Sequence, residues 1–308
     1  MNWDIAHQRA AMAAVQAHAE LGVDRTRYVD VFAALRAGGL IGMAQPMPRL
    51  FGVYHSPADD GPAVLLNSTL DIVTQRHTAA HELGHHRFEH RSAYDQELDR
   101  STRWGDGNWP QEEKLAEAFA AWFLMPRPAV LAALERIGVP RPQVPEHAYQ
   151  VARWLGASYA GVVRHLVRLR LLTRDRCTSW LKVQPAALKS SLSGGAVLPS
   201  RAHVHAVGAG AHDATVHVDA GDLIVLHLPG ASSVSLPDQV VPAAPPRSDS
   251  ALSSPDSSEA RAVRVLEVTG ALTDPVALTA EVPGHGEPFR LTVARQAPRS
   301  GVDDIWPA

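Results

Sequence analysis

The sequence predicts an α+β chain in three parts: helices and a short mixed sheet over residues 1–140, a helix-turn-helix-like unit over 141–180, and an all-β module over 185–308. Two patterns carry that reading. Ala- and Leu-rich helical stretches alternate with three short β-like runs in the first part. Beyond about residue 185 the pattern turns to the two-residue alternation of strands.

Residues 4–21 and 25–37 read as helices, stopped by Gly22 and by the Gly38-Gly39 pair. Leu40–Ala44, Leu50–His55 and Ala63–Asn67 read as strands, separated by Pro46-Met47-Pro48 and by Asp59-Asp60-Gly61-Pro62. Residues 71–91 are helical in pattern, with Ile72, Ala79, Leu83 and Phe88 apolar. A polar, Trp-containing loop (101–110) leads to helices at 111–124 and 127–137. Over 146–172, two helical stretches flank a Gly156-Ala157-Ser158 turn. Alternating runs at 214–218, 222–228, 262–268, 276–282 and 289–294 read as strands, and the Pro/Ser-rich stretch 236–260 reads as a disordered loop.

With 308 residues, 45% hydrophobic and 20% charged, the chain can bury a sizeable core. A net charge of -3 lacks the basic excess usual in nucleic-acid binders. The single cysteine, Cys177, excludes an internal disulfide and a thiolate-rich metal site. The N-terminus shows no signal-peptide pattern and no window reads as a membrane span, so the expectation is a cytoplasmic protein with no membrane partner.

The chemistry lies in His81-Glu82-Leu83-Gly84-His85, an H-E-x-x-H motif. Positions i and i+4 share a helix face, so both imidazoles can reach one ion about 2.0–2.1 Å away. Glu82 is rotated off that face, where a carboxylate serves as general base towards a metal-activated water. The plain alternative is a solvent-facing, His-rich helix. The pattern of a third histidine six residues on fails, because Phe88 and Arg91 stand where Gly and His would be needed. His86 and His90 sit off the ligand face and are assigned structural or exposed roles.

The following helix offers a better third ligand. Glu113 and Glu117 lie at i and i+4, opposite Leu115, Phe119, Trp122 and Phe123. The first acid suits the metal and the second can accept the outer ring N–H of a ligand histidine. Taken alone this would be an ordinary charged helix face; after H-E-x-x-H it reads as the ligand helix of a glutamate-type zinc peptidase.

HTAAHELGHH followed by EKLAEAFAAWFLMP is similar to the signature helices of the ImmA/IrrE family of metallopeptidases. The stretch from Val29 to Asn67 also resembles the family's opening, and the likeness covers roughly residues 25–172. It implies a zincin-like core with His81, His85 and Glu113 as metal ligands and Glu82 as base. Zn2+ is the implied cofactor, with Mn2+ or Co2+ as alternatives that this donor set does not exclude. The implied partner is a protein substrate, a helix-turn-helix transcriptional repressor whose cleavage derepresses stress-response or mobile-element genes. Glu117 departs from the family's Asp or Asn. Leu50–His55 is expected to be the edge strand that aligns an extended substrate, with Tyr54 or a nearby histidine supporting the oxyanion. The β-rich end resembles no family.

Arg141, Arg153, Arg164, Arg168, Arg170, Arg174 and Arg176 crowd residues 141–177, against Glu146 and Asp175. A basic second helix with Arg164, His165 and Arg168 could enter a DNA groove; the plainer reading packs the unit on the peptidase core or docks substrate. The competing function is therefore a DNA-binding transcriptional regulator with a structural or inactive metal site. Intact Glu82 favours the peptidase, since a structural site has no use for a base. His203, His205, His212, His217 and His227 are expected to be surface residues rather than a second metal site.

Overall fold

The computed structural model describes residues 1–59, 61–96, 109–195, 198, 201–228, 230, 233–243, 263–270, 272–283, 286–296 and 299–302. Most of the loop expected at 101–110, and the Pro/Ser-rich stretch from 244 on, lie outside the described residues. The chain packs as two compact units: residues 1–130, 155–161 and 298–308 form one, and residues 131–154 and 162–297 the other.

In the first unit α1 (Trp3–Glu20) buries a stripe of Ala6, Ala10, Ala14 and Ala17. Methyl side chains at this spacing let a partner helix approach closely, and that partner is α4 (Gln111–Leu124). His18 closes the contact, its Nε2–H donating to the Phe123 carbonyl at 2.8 Å while its ring stacks on Phe123. The second helix, α2 (Val31–Ala37), is shorter than the expected 25–37. Asp24 accepts from Thr26 N at 2.8 Å, a local turn that competes with helix, and the helix starts only where Asp30 caps Phe32 and Ala33.

The sheet contains β1 (Ile41–Gln45), β2 (Leu50–His55), β3 (Ala63–Asn67), β4 (Ala93–Gln96) and β13 (Gly301–Val302), in the order β13-β1-β3-β2-β4. Pairing of β1 with β3 is parallel, and β2 pairs antiparallel with both β3 and β4. The expectation that β2 is the edge strand is therefore corrected: β4 covers it, through a short Ser-Ala-Tyr-Asp-Gln stretch too brief to declare itself by alternation. Buried Asn67 ties the strands together, donating to the Leu50 carbonyl at 2.9 Å and accepting from Met47 N at 3.2 Å.

Helix α3 (Ile72–Arg87) begins at Asp71, whose side chain accepts from Thr74 N. It stops at Arg87 rather than 91, and Glu89 then takes a left-handed φ of 55°. Unusually for its polarity, it buries Gln75, Arg76, Thr78, His81, Glu82 and His85. Such groups need partners. Arg76, wholly buried, donates to the carbonyls of Val29, Leu155 and Gly156 and lies over the Tyr28 ring. Gln75 accepts from Arg299 N at 2.8 Å, tying down the residues before β13.

Helices α5 (Arg127–Ile137), α6 (Pro145–Leu155), α7 (Tyr159–Arg168), α8 (Arg174–Trp180) and α9 (Pro185–Leu192) follow. The last corrects the expectation that strand texture starts near 185; Pro185 at the first turn suits a helix start. The second unit holds β5 (Val204–Gly208), β6 (Ala214–Val218), β7 (Leu223–His227), β8 (Ser233–Ser235), β9 (Val240–Pro242), β10 (Val263–Val268), β11 (Val276–Glu281) and β12 (Phe289–Arg295). They form two four-stranded sheets, β5-β7-β10-β9 and β6-β12-β11-β8. The strand β9 lies inside the stretch expected to be disordered, with Val240 buried in the sheet. Among the described residues no single helix is long and apolar enough to cross a membrane.

Candidate metal centre

The H-E-x-x-H helix is not the solvent-facing, His-rich surface of the plain alternative: His81, Glu82 and His85 are 2%, 0% and 1% exposed. Two glycines make room for them. A Cβ on Gly84 would meet the Ala116 Cα at 3.0 Å, so only glycine lets α3 and α4 run this close. A Cβ on Gly52 of β2 would stand 2.5 Å from Thr78 Cγ2 and 2.8 Å from Glu82 Oε1, so glycine there admits the Glu82 carboxylate against the sheet.

The close approach of α3 and α4 brings the Glu113 carboxylate to the two imidazoles. Glu113 Oε2 lies 3.2 Å from His81 Nε2, Glu113 Oε1 lies 3.5 Å from His85 Nε2, and the two Nε2 atoms are 3.1 Å apart. Donors at about 2.0–2.1 Å from a tetrahedral ion stand roughly 3.3–3.4 Å from one another. The two Nε2 atoms and the Glu113 carboxylate thus converge at separations close to those of a tetrahedral site, and two neutral imidazoles with a carboxylate are a donor set that fits zinc. Burial raises the Glu113 pKa, but hydrogen bonds and charge from His81 and His85 outweigh it and hold the carboxyl below its ordinary range.

A second layer orients these donors. Glu117 Oε2 lies 3.4 Å from His81 Nδ1 and 3.0 Å from His77 Nε2. A proton on Nδ1 facing Glu117 leaves the Nε2 lone pair of His81 for an ion. His90 meets His85 from the other side, with their Nδ1 atoms 3.0 Å apart. Burial first, then His85, pushes the His90 pKa down to about 4, so it stands there as a neutral ring. His86 is engaged elsewhere, with its Nδ1 3.0 Å from the Tyr54 hydroxyl. Tyr54 is 1% exposed, its ring stacks beside His85 with centroids 6.2 Å apart, and burial, then Asp59, raises its pKa.

The expected residues His81, Glu82, His85, Glu113 and Glu117 are therefore gathered at one place, and Tyr54 stands against His85. Sequence reasoning passed over His77, one helical turn before His81 on the same face; its i, i+4 spacing was the available signal. Not all of the basic residues expected on the helix-turn-helix-like unit reach the surface. His165 is 3% exposed and Arg153, over the Tyr149 ring, is 5% exposed. The surface assignment of the distal histidines is corrected for His205: it is 4% exposed, with Nε2 3.2 Å from Asp222 Oδ2. Among the described residues no second group of His, Cys, Asp and Glu converges as His81, His85 and Glu113 do.

No curated protein matches the chain significantly. Residues 47–165, which carry α3 and α4, match the IrrE N-terminal-like domain family. The chain thus carries, over residues 47–165, a metallopeptidase domain of the IrrE N-terminal-like (Peptidase_M78) family, with a His81, His85 and Glu113 cluster.

Proposed function

We propose that the chain is a zinc-dependent endopeptidase that cuts a helix-turn-helix transcriptional repressor, with His81, His85 and Glu113 as the metal ligands and Glu82 as the general base. The observation that carries this reading is the convergence of the His81 and His85 Nε2 atoms, 3.1 Å apart, with the Glu113 carboxylate, on two helices that meet at Gly84. Bound there, the metal would polarise the scissile carbonyl and acidify water.

The remaining chemistry falls to the chain's own groups. Glu82 follows His81 directly on α3 and is fully buried, and its carboxylate accepts the proton of the attacking water and hands it to the leaving amine. Glu117 fixes the ring of His81, and His90 that of His85. Tyr54 backs His85, and supports an oxyanion only by giving up its contact with His86. The repressor as substrate and the cytoplasm as location rest on the family resemblance and on the single cysteine, Cys177.

The test is incubation of the purified protein with candidate helix-turn-helix repressors, beside Glu82→Gln. Wild type is expected to cut one of them at a defined bond, and Glu82→Gln to retain metal but lose cutting by at least about 100-fold. Equal cutting by the variant overturns the base assignment. Cleavage of unrelated peptides but of no repressor overturns the substrate class.

A further inference from the structure

We propose that the second unit carries a binding site for a small phosphate-bearing molecule of nucleotide size, in a cavity of about 730 Å³ between residues 141–143 and 167–176. This inference does not depend on the metallopeptidase reading. Arg141, Arg170, Arg174 and Arg176 line the cavity and no acidic residue does. Among the described residues none of these guanidinium groups is ion-paired with a carboxylate. Four exposed arginines around one hollow make a local positive field that attracts anions, and their planar forks match phosphate oxygens.

The backbone supplies an independent sign. Helix α7 ends in a tight turn in which Leu171 N donates to the Leu166 carbonyl at 2.9 Å, and Arg170 occupies the left-handed position with φ 58°. Glycine is the usual occupant there because its missing Cβ avoids the clash. An arginine at that point strains the turn and directs a cation into the cavity wall, the kind of local cost that gathers at functional sites.

The shape selects the ligand. Buried Leu171, Leu172 and Pro142 offer an apolar floor beside the charges, as a nucleoside with a phosphate chain requires. The volume lies in the range of small-ligand pockets. Of the three residues that α7 was expected to offer a duplex, His165 is buried.

The test is isothermal titration of the full chain with ATP, for wild type, Arg170→Gly and Arg174→Ala. ATP is expected to bind wild type with an affinity that falls as salt rises, and at least about 10-fold more weakly to each variant. Arg170→Gly is expected to keep or raise Tm, since it relieves the turn, so its loss of binding is not loss of fold. The proposal is overturned by absence of ATP binding at millimolar concentration, or by affinities that neither variant changes. Binding of a short DNA duplex that ATP does not displace overturns it in favour of a nucleic-acid surface.

Discussion

Gly84 and Ala116 meet backbone to backbone: a methyl group on Gly84 would lie 3.0 Å from the Ala116 Cα and 3.2 Å from its carbonyl oxygen. Gly84 sits between the two histidines of α3, and Ala116 is one turn after Glu113 on α4. The distance between the helices therefore sets the distance between the donors. Gly84→Val is expected to push the helices apart and to destabilise the fold by about 1–3 kcal/mol. Metal affinity should fall further than stability does, which metal titration beside thermal melting will show; unchanged affinity would mean that the helix contact does not position Glu113.

On the opposite side of α3, Gly52 plays the same part for the proposed base. A Cβ there collides with Thr78 and comes within 2.8 Å of Glu82 Oε1. Gly52→Ala is expected to displace the Glu82 carboxylate while leaving the three donors in place. Bound metal should stay near the wild-type level while peptidase activity drops at least about 10-fold; loss of both together would show that the effect is general unfolding.

Glu117 touches both His77 and His81. Glu117→Gln keeps the size of the side chain but removes the charge that holds the His81 ring. Metal affinity is expected to weaken about 10- to 100-fold, as for other carboxylates behind metal-binding histidines. His77→Ala, which leaves Glu117 facing His81, should weaken it less. Competition with a chromophoric chelator measures both, and an equal or reversed order would contradict the assignment.

The members of the His81, His85 and Glu113 cluster were legible because they obey simple helix periodicity: His81 with His85, and Glu113 with Glu117. Helix α4 and strands β2 and β3 were also placed at their observed ends, since proline and glycine punctuate them. What escaped was set by tertiary contacts. The strand β4 has four residues and owes its state to pairing with β2. A two-residue strand, β13, is defined by its partner β1 across more than half the chain. His205 alternates like a surface position, yet pairing with Asp222 lets it be buried. His90 was set aside by its angle on an ideal helix, but α3 ends at Arg87 and the chain turns back, bringing His90 to His85.

Arg76 donates to three carbonyls, those of Val29, Leu155 and Gly156. Arg76→Leu fills a similar volume but strands those acceptors in the interior, each a cost of about 1–3 kcal/mol. The variant is expected to lose about 3 kcal/mol or more in urea unfolding. A loss under about 1 kcal/mol would show that water reaches those carbonyls.

Asp219 gives the second unit a defined pH response. Burial first, and then Asp222, pushes its pKa up from 3.8 to about 6, with Arg295 opposing. Between these values the native state holds more protons than the unfolded chain, so this group's contribution to stability declines as pH rises from about 4 to 6. Asp219→Asn is expected to be more stable than wild type at pH 7 and to lose that advantage at pH 4. Urea midpoints at the two pH values decide it; a constant difference would deny the shift.

The most direct test of the central claim is the metal content of the purified chain beside Glu113→Ala, measured by plasma mass spectrometry after gel filtration. The account predicts about one zinc per chain in wild type and a large loss in the variant, with both proteins folded by circular dichroism. Full metal in Glu113→Ala would contradict it and pass the third ligand to another residue, with His90 the first to examine.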